Sequence, residues 1–212
     1  MKQLLFTVFC FAMLASASAQ SERYTGAMQK NFEAMASANT PAGMLDVSNA
    51  FERIANAEKN QWLPFYYSSL CKVWYAFMLN DPKQYDQIAD QCDSLIAKAE
   101  LMEKNNSEIV LLKSMVATLR MIVDPMSRYM QYGMMSNQYI EESKQLDPAN
   151  PRPYMWQAQG VSKTPVQFDG GCDKAKPIFE KALELFKAFK PKSPLHPDWG
   201  KDQTEKAYSE CK

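Results

Sequence analysis

The sequence has one histidine, His196, and only 7 glycines among its 212 residues. The first scarcity excludes most proton-shuttling chemistry. Ser-His-Asp and Cys-His arrangements need an imidazole beside a nucleophile, whereas His196 sits in a proline-bearing connector with no marked acid or nucleophile around it. The second removes phosphate-cradling loops, because the one glycine pair, Gly170-Gly171, follows no strand and is closed by no Lys-Ser/Thr. Its expected role is to turn the chain into a following helix, with Asp169 or Asp173 near that helix start. Strand signals are missing as well: there is no sustained alternation of apolar and polar residues and no hairpin-type turn.

Charge of one sign is also lacking, since 24 Lys+Arg face 24 Asp+Glu. A nucleic-acid surface needs a concentrated positive field to displace counterions, so no nucleic-acid partner is expected. Long apolar runs are confined to the start. There, Lys2, the run from Leu4 to Leu14 and the small residues Ala17-Ser18-Ala19 have the order of a secretory signal over residues 1–19, leaving a mature domain over 20–212 that begins at Gln20. That run is too short for a permanent anchor, no transmembrane segment follows, and the protein is expected to be periplasmic or secreted. Cysteine is sparse. Beyond Cys10 in the leader stand Cys71, Cys92, Cys172 and Cys211, an even set whose spacing fits no zinc motif and which in an exported chain points to disulfides.

What is present is helical. Hydrophobic residues make up 46% of the chain and aromatics 12%, enough for a continuous core. Apolar residues recur every three to four positions in successive segments: 24–38, 44–57, the aromatic stretch beginning at Trp62, 82–103, 107–123, and the Met- and Tyr-laden run after Pro125. Asn80-Asp81-Pro82 and Asp124-Pro125 punctuate them, an acid or amide capping free amides and proline entering the first turn of the next helix, while Asp147-Pro148 ends the Met- and Tyr-laden helix and a short helix opens at Pro151 to Pro153. A last polar helix covers 198–211. The second helix of each pair carries a small residue, an apolar one four later and a small one three beyond: Ala50, Ile54, Ala57; Cys92, Ile96, Ala99; Ser136, Ile140, Ser143; Ala175, Phe179, Ala182. These offsets share one helix stripe, where small side chains allow close helix approach.

From Leu146 to Pro191 the chain resembles one tetratricopeptide (TPR) unit, with Trp156 and Gly160 matching the first half of its pattern and Ala175 and Phe179 the second. Gln159 and Lys163 depart from that pattern, and the period here, near 42 residues, exceeds the family's of about 34. The resemblance implies an all-α, right-handed TPR-like helical-hairpin solenoid of about four helix pairs plus a C-terminal capping helix. It further implies a non-catalytic scaffold that binds a protein or peptide on its concave face. Aromatics with polar tips suit such a groove, and Tyr66, Trp74 and Tyr75 are the candidate partner-binding residues. No cofactor, metal site or catalytic residue is assigned, and the protein is read as not an enzyme.

Two alternatives stand beside the scaffold. Met126, Met130 and Met134 lie at i, i+4 and i+8, with Met115 and Met121 on the preceding helix. Thioethers are soft ligands, so this Met-rich pair would suit a soluble carrier of copper or of a small ligand, against a reading in which the methionines fill the core. The third possibility, a glycan-associated accessory, rests on aromatic content alone. The disulfides are expected as Cys71–Cys92, because the turn at Asn80 to Pro82 lies midway between them, and as Cys172–Cys211, because the terminal helix returns towards the start of the long one.

Overall fold

The computed structural model describes residues 22–211, and among these all regular structure is helical. The expected leader over residues 1–19, with its cleavage before Gln20, lies outside the described residues. The first helix, α1, covers residues 22–37. It is followed by α2 (Pro41–Ala57), α3 (Trp62–Leu79), α4 (Tyr85–Met102) and α5 (Ser107–Val123). The second half holds α6 (Pro125–Arg128), a π-turn over Tyr129–Gly133, α7 (Met134–Leu146), α8 (Arg152–Lys163), α9 (Cys172–Ala188) and α10 (Lys201–Glu210). From α2 onward, helices adjacent in the chain pack on one another, α7 taking the place next to α5 and α8. No helix among the described residues is long and apolar enough to cross a membrane.

The helix boundaries follow from capping chemistry. Thr40 Oγ1 accepts the Gly43 amide at 3.1 Å with Pro41 in the first turn, so α2 begins three residues earlier than its apolar periodicity suggests. Asn80 takes the left-handed conformation at φ 51° and ends α3. Asp81 then caps a short 3-10 turn, Pro82–Gln84, that leads into α4. Asn106 Oδ1 accepts the amides of Glu108 (2.9 Å) and Ile109 (3.3 Å) to open α5. Each such cap satisfies amides that no preceding turn of the helix can reach.

α3 and α5 are buried on almost every side, which explains why their sequences are apolar all round rather than on one stripe. Their neighbours bury one stripe each, and in α4, α7 and α9 it is the small-apolar-small stripe: Cys92, Ile96, Ala99; Ser136, Ile140, Ser143; Ala175, Phe179, Ala182. In α2 the stripe is shifted. Met44, Val47, Ser48, Phe51 and Ala55 are buried, Ala50 and Ile54 only half so, and Ala57 is exposed. Burying three large side chains outweighs the close approach that Ala50 and Ala57 would permit. The small polar members tie helices together: Ser48 Oγ donates to the Ser68 carbonyl at 2.8 Å, and Ser143 Oγ to that of Ser107 at 2.7 Å.

Cys172 and Cys211 form a disulfide that joins the start of α9 to the end of α10. Cys71 and Cys92 do not pair, which corrects the expected second bridge. Both lie on buried faces of α3 and α4, but the Cys92 thiol donates to the Ser69 carbonyl at 3.7 Å, aimed at the backbone of α3 rather than at the Cys71 sulfur. Helix turns place two residues at one level without making their side chains converge.

One buried polar cluster fixes where α8 starts. The Arg152 side chain is fully buried. Its Nη1 donates to Glu108 Oε1 at 2.9 Å and its Nη2 to the Pro197 carbonyl at 2.6 Å, while its guanidinium lies over the rings of Phe189 and Trp199. Glu108 also accepts from Asn150 Nδ2 (2.8 Å) and from Tyr66 Oη (2.9 Å), and Trp199 Nε1 donates to Tyr66 Oη at 2.9 Å. α3, α5, the first turn of α8 and the connector before α10 thus meet at one carboxylate.

Candidate functional site

A groove of 580 Å³ runs between α3, α5, the π-turn with α7, and α8. Its lining combines aromatic and apolar side chains with uncharged polar ones, and carries two charges, Lys163 and Asp169. α3 supplies Trp74 and Phe77, α5 supplies Met121 and Ile122, the π-turn supplies Tyr129, α7 supplies Ile140, and α8 supplies Trp156. Phe168, from the short turn after α8, stands at the rim with its side chain largely exposed. Phe77 and Trp156 meet across the floor with ring centroids 5.9 Å apart, and Trp74 packs edge-on against Trp199 at 5.6 Å. Rings clamped by such contacts present rigid apolar faces to whatever enters.

Two glycines shape this space. At Gly133 an added Cβ would come within 2.7 Å of the Tyr129 ring and 3.1 Å of Met121 Sδ, so the missing side chain lets the tyrosine lie back over its own π-turn into the groove. At Gly160, one turn after Trp156 on α8, an added Cβ would meet nothing within 4 Å. The backbone there is open to the groove, and a flat ligand can approach it closely. Farther on, Gly171 at φ 95° turns the chain back towards α9 after the turn that carries Phe168.

The three aromatic candidates separate. Tyr66 is fully buried, hydrogen-bonded within the Glu108 cluster, and belongs to the core; burial, with the nearby Glu108 charge, raises its phenol well above the ordinary tyrosine range. Tyr75 is half-buried against the main core. Trp74 alone of the three lines the groove. The methionine stripe does not fill the core: Met126, Met130 and Met134 are 90, 72 and 56% exposed. It has the π-turn in its middle and sits outside the groove wall, while Met115 is buried and Met121 reaches the groove. Among the described residues no group of three or more His, Cys, Asp and Glu side chains is placed to hold a metal ion.

His196 lines a different cleft, of 460 Å³, together with Trp62, Glu103, Glu108, Lys190 and Lys192. Its Nδ1 lies 2.7 Å from Ser193 Oγ, and partial burial, reinforced by Lys192, lowers its pKa and favours the neutral ring. No imidazole therefore faces the aromatic groove.

No protein-family model matches the chain, and no curated protein sequence matches it. A solved structure does: the chain is similar to the HusA haemophore from Porphyromonas gingivalis at 34% identity and a TM-score of 0.80, over 89% of this chain and 92% of that one. The chain belongs to the HusA haemophore family. Membership overturns the expectation of a scaffold for a protein or peptide partner, because a haemophore carries a small ligand. The alternative of a small-ligand carrier is the reading that the relationship supports. The residues of the groove stand in the sequence under other readings: Trp156 and Gly160, matched above to the repeat pattern, line the groove, as do Met121 and Tyr129 of the Met- and Tyr-rich helices.

Proposed function

We propose that this protein is an exported, non-enzymatic carrier of haem or a closely related porphyrin, held in the groove between α3, α5, α7 and α8 of a TPR-like helical array. The single observation that carries the reading is the lining: Trp74, Phe77 and Trp156 together with Met121 and Tyr129 enclose 580 Å³. Small-ligand sites typically enclose about 300–1,000 Å³ behind mostly apolar walls with a few polar groups. A porphyrin is a wide aromatic plate, and its transfer from water onto aromatic faces is favoured both by apolar burial and by ring stacking. The one histidine lines the other cleft, so the ring faces of Trp74, Phe77 and Trp156 would hold the macrocycle, and Met121 and Tyr129 are the lining side chains of the kind that ligate haem iron. The disulfide between Cys172 and Cys211 fits a protein that works in an oxidising compartment.

The test is a titration of haem into the mature protein, read by the Soret band and by quenching of tryptophan fluorescence, on wild type and Gly160→Leu. The space over Gly160 is open, so the leucine fits the unliganded fold, and replacing a mid-helix glycine favours the helix by about 0.5–1 kcal/mol. Its side chain occupies the path of the ligand. The expected result is haem binding by wild type and at least a tenfold weaker affinity in Gly160→Leu, with circular dichroism unchanged and Tm the same or higher. Equal affinity in the two proteins would place the ligand elsewhere.

A further inference from the structure

We infer that Lys163 anchors a carboxylate on the edge of the bound ring and makes the groove prefer porphyrins with free acid side chains; this rests on the porphyrin reading above. Among the described residues Lys163 is the one cationic side chain in the groove lining. The one acid there, Asp169, is paired with Lys174 at 2.7 Å, so it carries its own counter-charge, and Lys163 has no ion-pair partner among the described residues. Trp156, Gly160 and Lys163 stand at i, i+4 and i+7 on one face of α8, an order that leads from an aromatic floor over bare backbone to a cation at the mouth. Seven residues of helix rise about 10 Å. A plate lying over Gly160 with its body on Trp156 thus reaches its edge substituents to the Lys163 ammonium.

The neighbouring polar groups complete the mouth. Gln159 and Thr164 line it beside Lys163, and Thr164 Oγ1 already donates to the Gly160 carbonyl at 2.9 Å, which leaves the Gln159 amide and the ammonium to meet an anion. Lysine in the last turn of a helix also complements the helix dipole, and that alone would explain a positive charge at this position. It would not explain a charge effect that depends on whether the ligand carries acids, and this difference is what the experiment reads.

Protoporphyrin IX and its dimethyl ester are titrated separately into wild type, Lys163→Met and Lys163→Arg, at low and high ionic strength. Wild type is expected to bind the diacid more tightly than the ester. Lys163→Met should weaken the diacid by about three- to tenfold, the range between an exposed ion pair and a shielded charge-assisted hydrogen bond. Ester binding should stay within about twofold, as a side chain of similar length keeps the apolar stem while losing only the charge. Lys163→Arg should restore the preference, and added salt should reduce it in wild type. Equal weakening of both ligands in Lys163→Met, or a preference that survives the substitution, overturns the assignment of Lys163 while leaving the groove as the porphyrin site. Failure of wild type to bind either compound overturns the porphyrin reading and this inference with it.

Discussion

Arg152 shows how much of this fold depends on a single side chain. A fully buried guanidinium is tolerated because Glu108, the Pro197 carbonyl and two aromatic faces replace water, although Nε has no hydrogen-bond partner among the described residues. Arg152→Met removes that cation and leaves Glu108, 12% exposed, without its counter-charge. Loss of one partner of a buried pair costs about 3–5 kcal/mol. Urea unfolding of Arg152→Met should show a loss of that order, and the Glu108→Gln/Arg152→Met double variant should recover part of it. A double variant no more stable than the single one would mean that the pair is not what the cluster depends on. The two unpaired cysteines give a second residue-scale expectation. Burial pushes the Cys92 thiol up to about 12 and Cys71 higher still, so both stay protonated and inert at neutral pH. In the mature protein, without Cys10, Ellman's reagent should find no reactive thiol in the native state and two per chain after unfolding without reductant, whereas none after unfolding would restore the Cys71–Cys92 bridge. The return of the terminal helix located the Cys172–Cys211 pair, whereas the turn midway between Cys71 and Cys92 set those two at one level without making their sulfurs converge.

At the scale of elements, what the sequence displays is each helix and its ends, since capping and periodicity are local. Asp81, Asn106 and Asp124 cap where their neighbours in sequence place them, and three of the four small-residue stripes are the buried ones. The stripe in α2 was misread because local small-residue spacing competes with three large apolar side chains, and only packing decides between them. The π-turn at Tyr129–Gly133 was not legible at all. Its sequence, YMQYG, continues the helical pattern, and the turn is compatible only with a small residue at Gly133, where an added Cβ would come within 2.7 Å of the Tyr129 ring. Such insertions widen a helix at functional sites. Here one brings a tyrosine to the groove and leaves Met126 and Met130 in solvent. The same limit applies to α8, where Trp156 and Gly160 match a repeat motif by spacing while their surroundings make them part of the groove lining.

At the scale of the molecule, the groove lies along a seam. The large core joins α1 through α5, while α8, α9 and α10 pack around smaller clusters of their own, centred on Ala158, Ala175 and Phe179 and on Met155 and Phe186. Trp156 and Trp199 cross from one side to the other, and the Arg152–Glu108 pair does so beneath them. No short segment of sequence contains this seam, because its lining comes from helices more than 80 residues apart, as Trp74 and Trp156 illustrate. A ligand in the seam touches both sides at once and binds only when both are folded. By mass action, ligand at 100 times its Kd stabilises the native state by about 2.7 kcal/mol. Hydrogen exchange with and without haem should therefore show added protection in two separated stretches, the end of α3 around Trp74 and Phe77 and the end of α8 from Trp156 to Lys163. The intervening π-turn should be protected with them. The exposed faces of α2 and α10, which contribute nothing to the groove, should exchange as before wherever they open locally rather than by global unfolding. Protection confined to the residues around His196, Glu103 and Lys192 would show that the ligand occupies the other cleft.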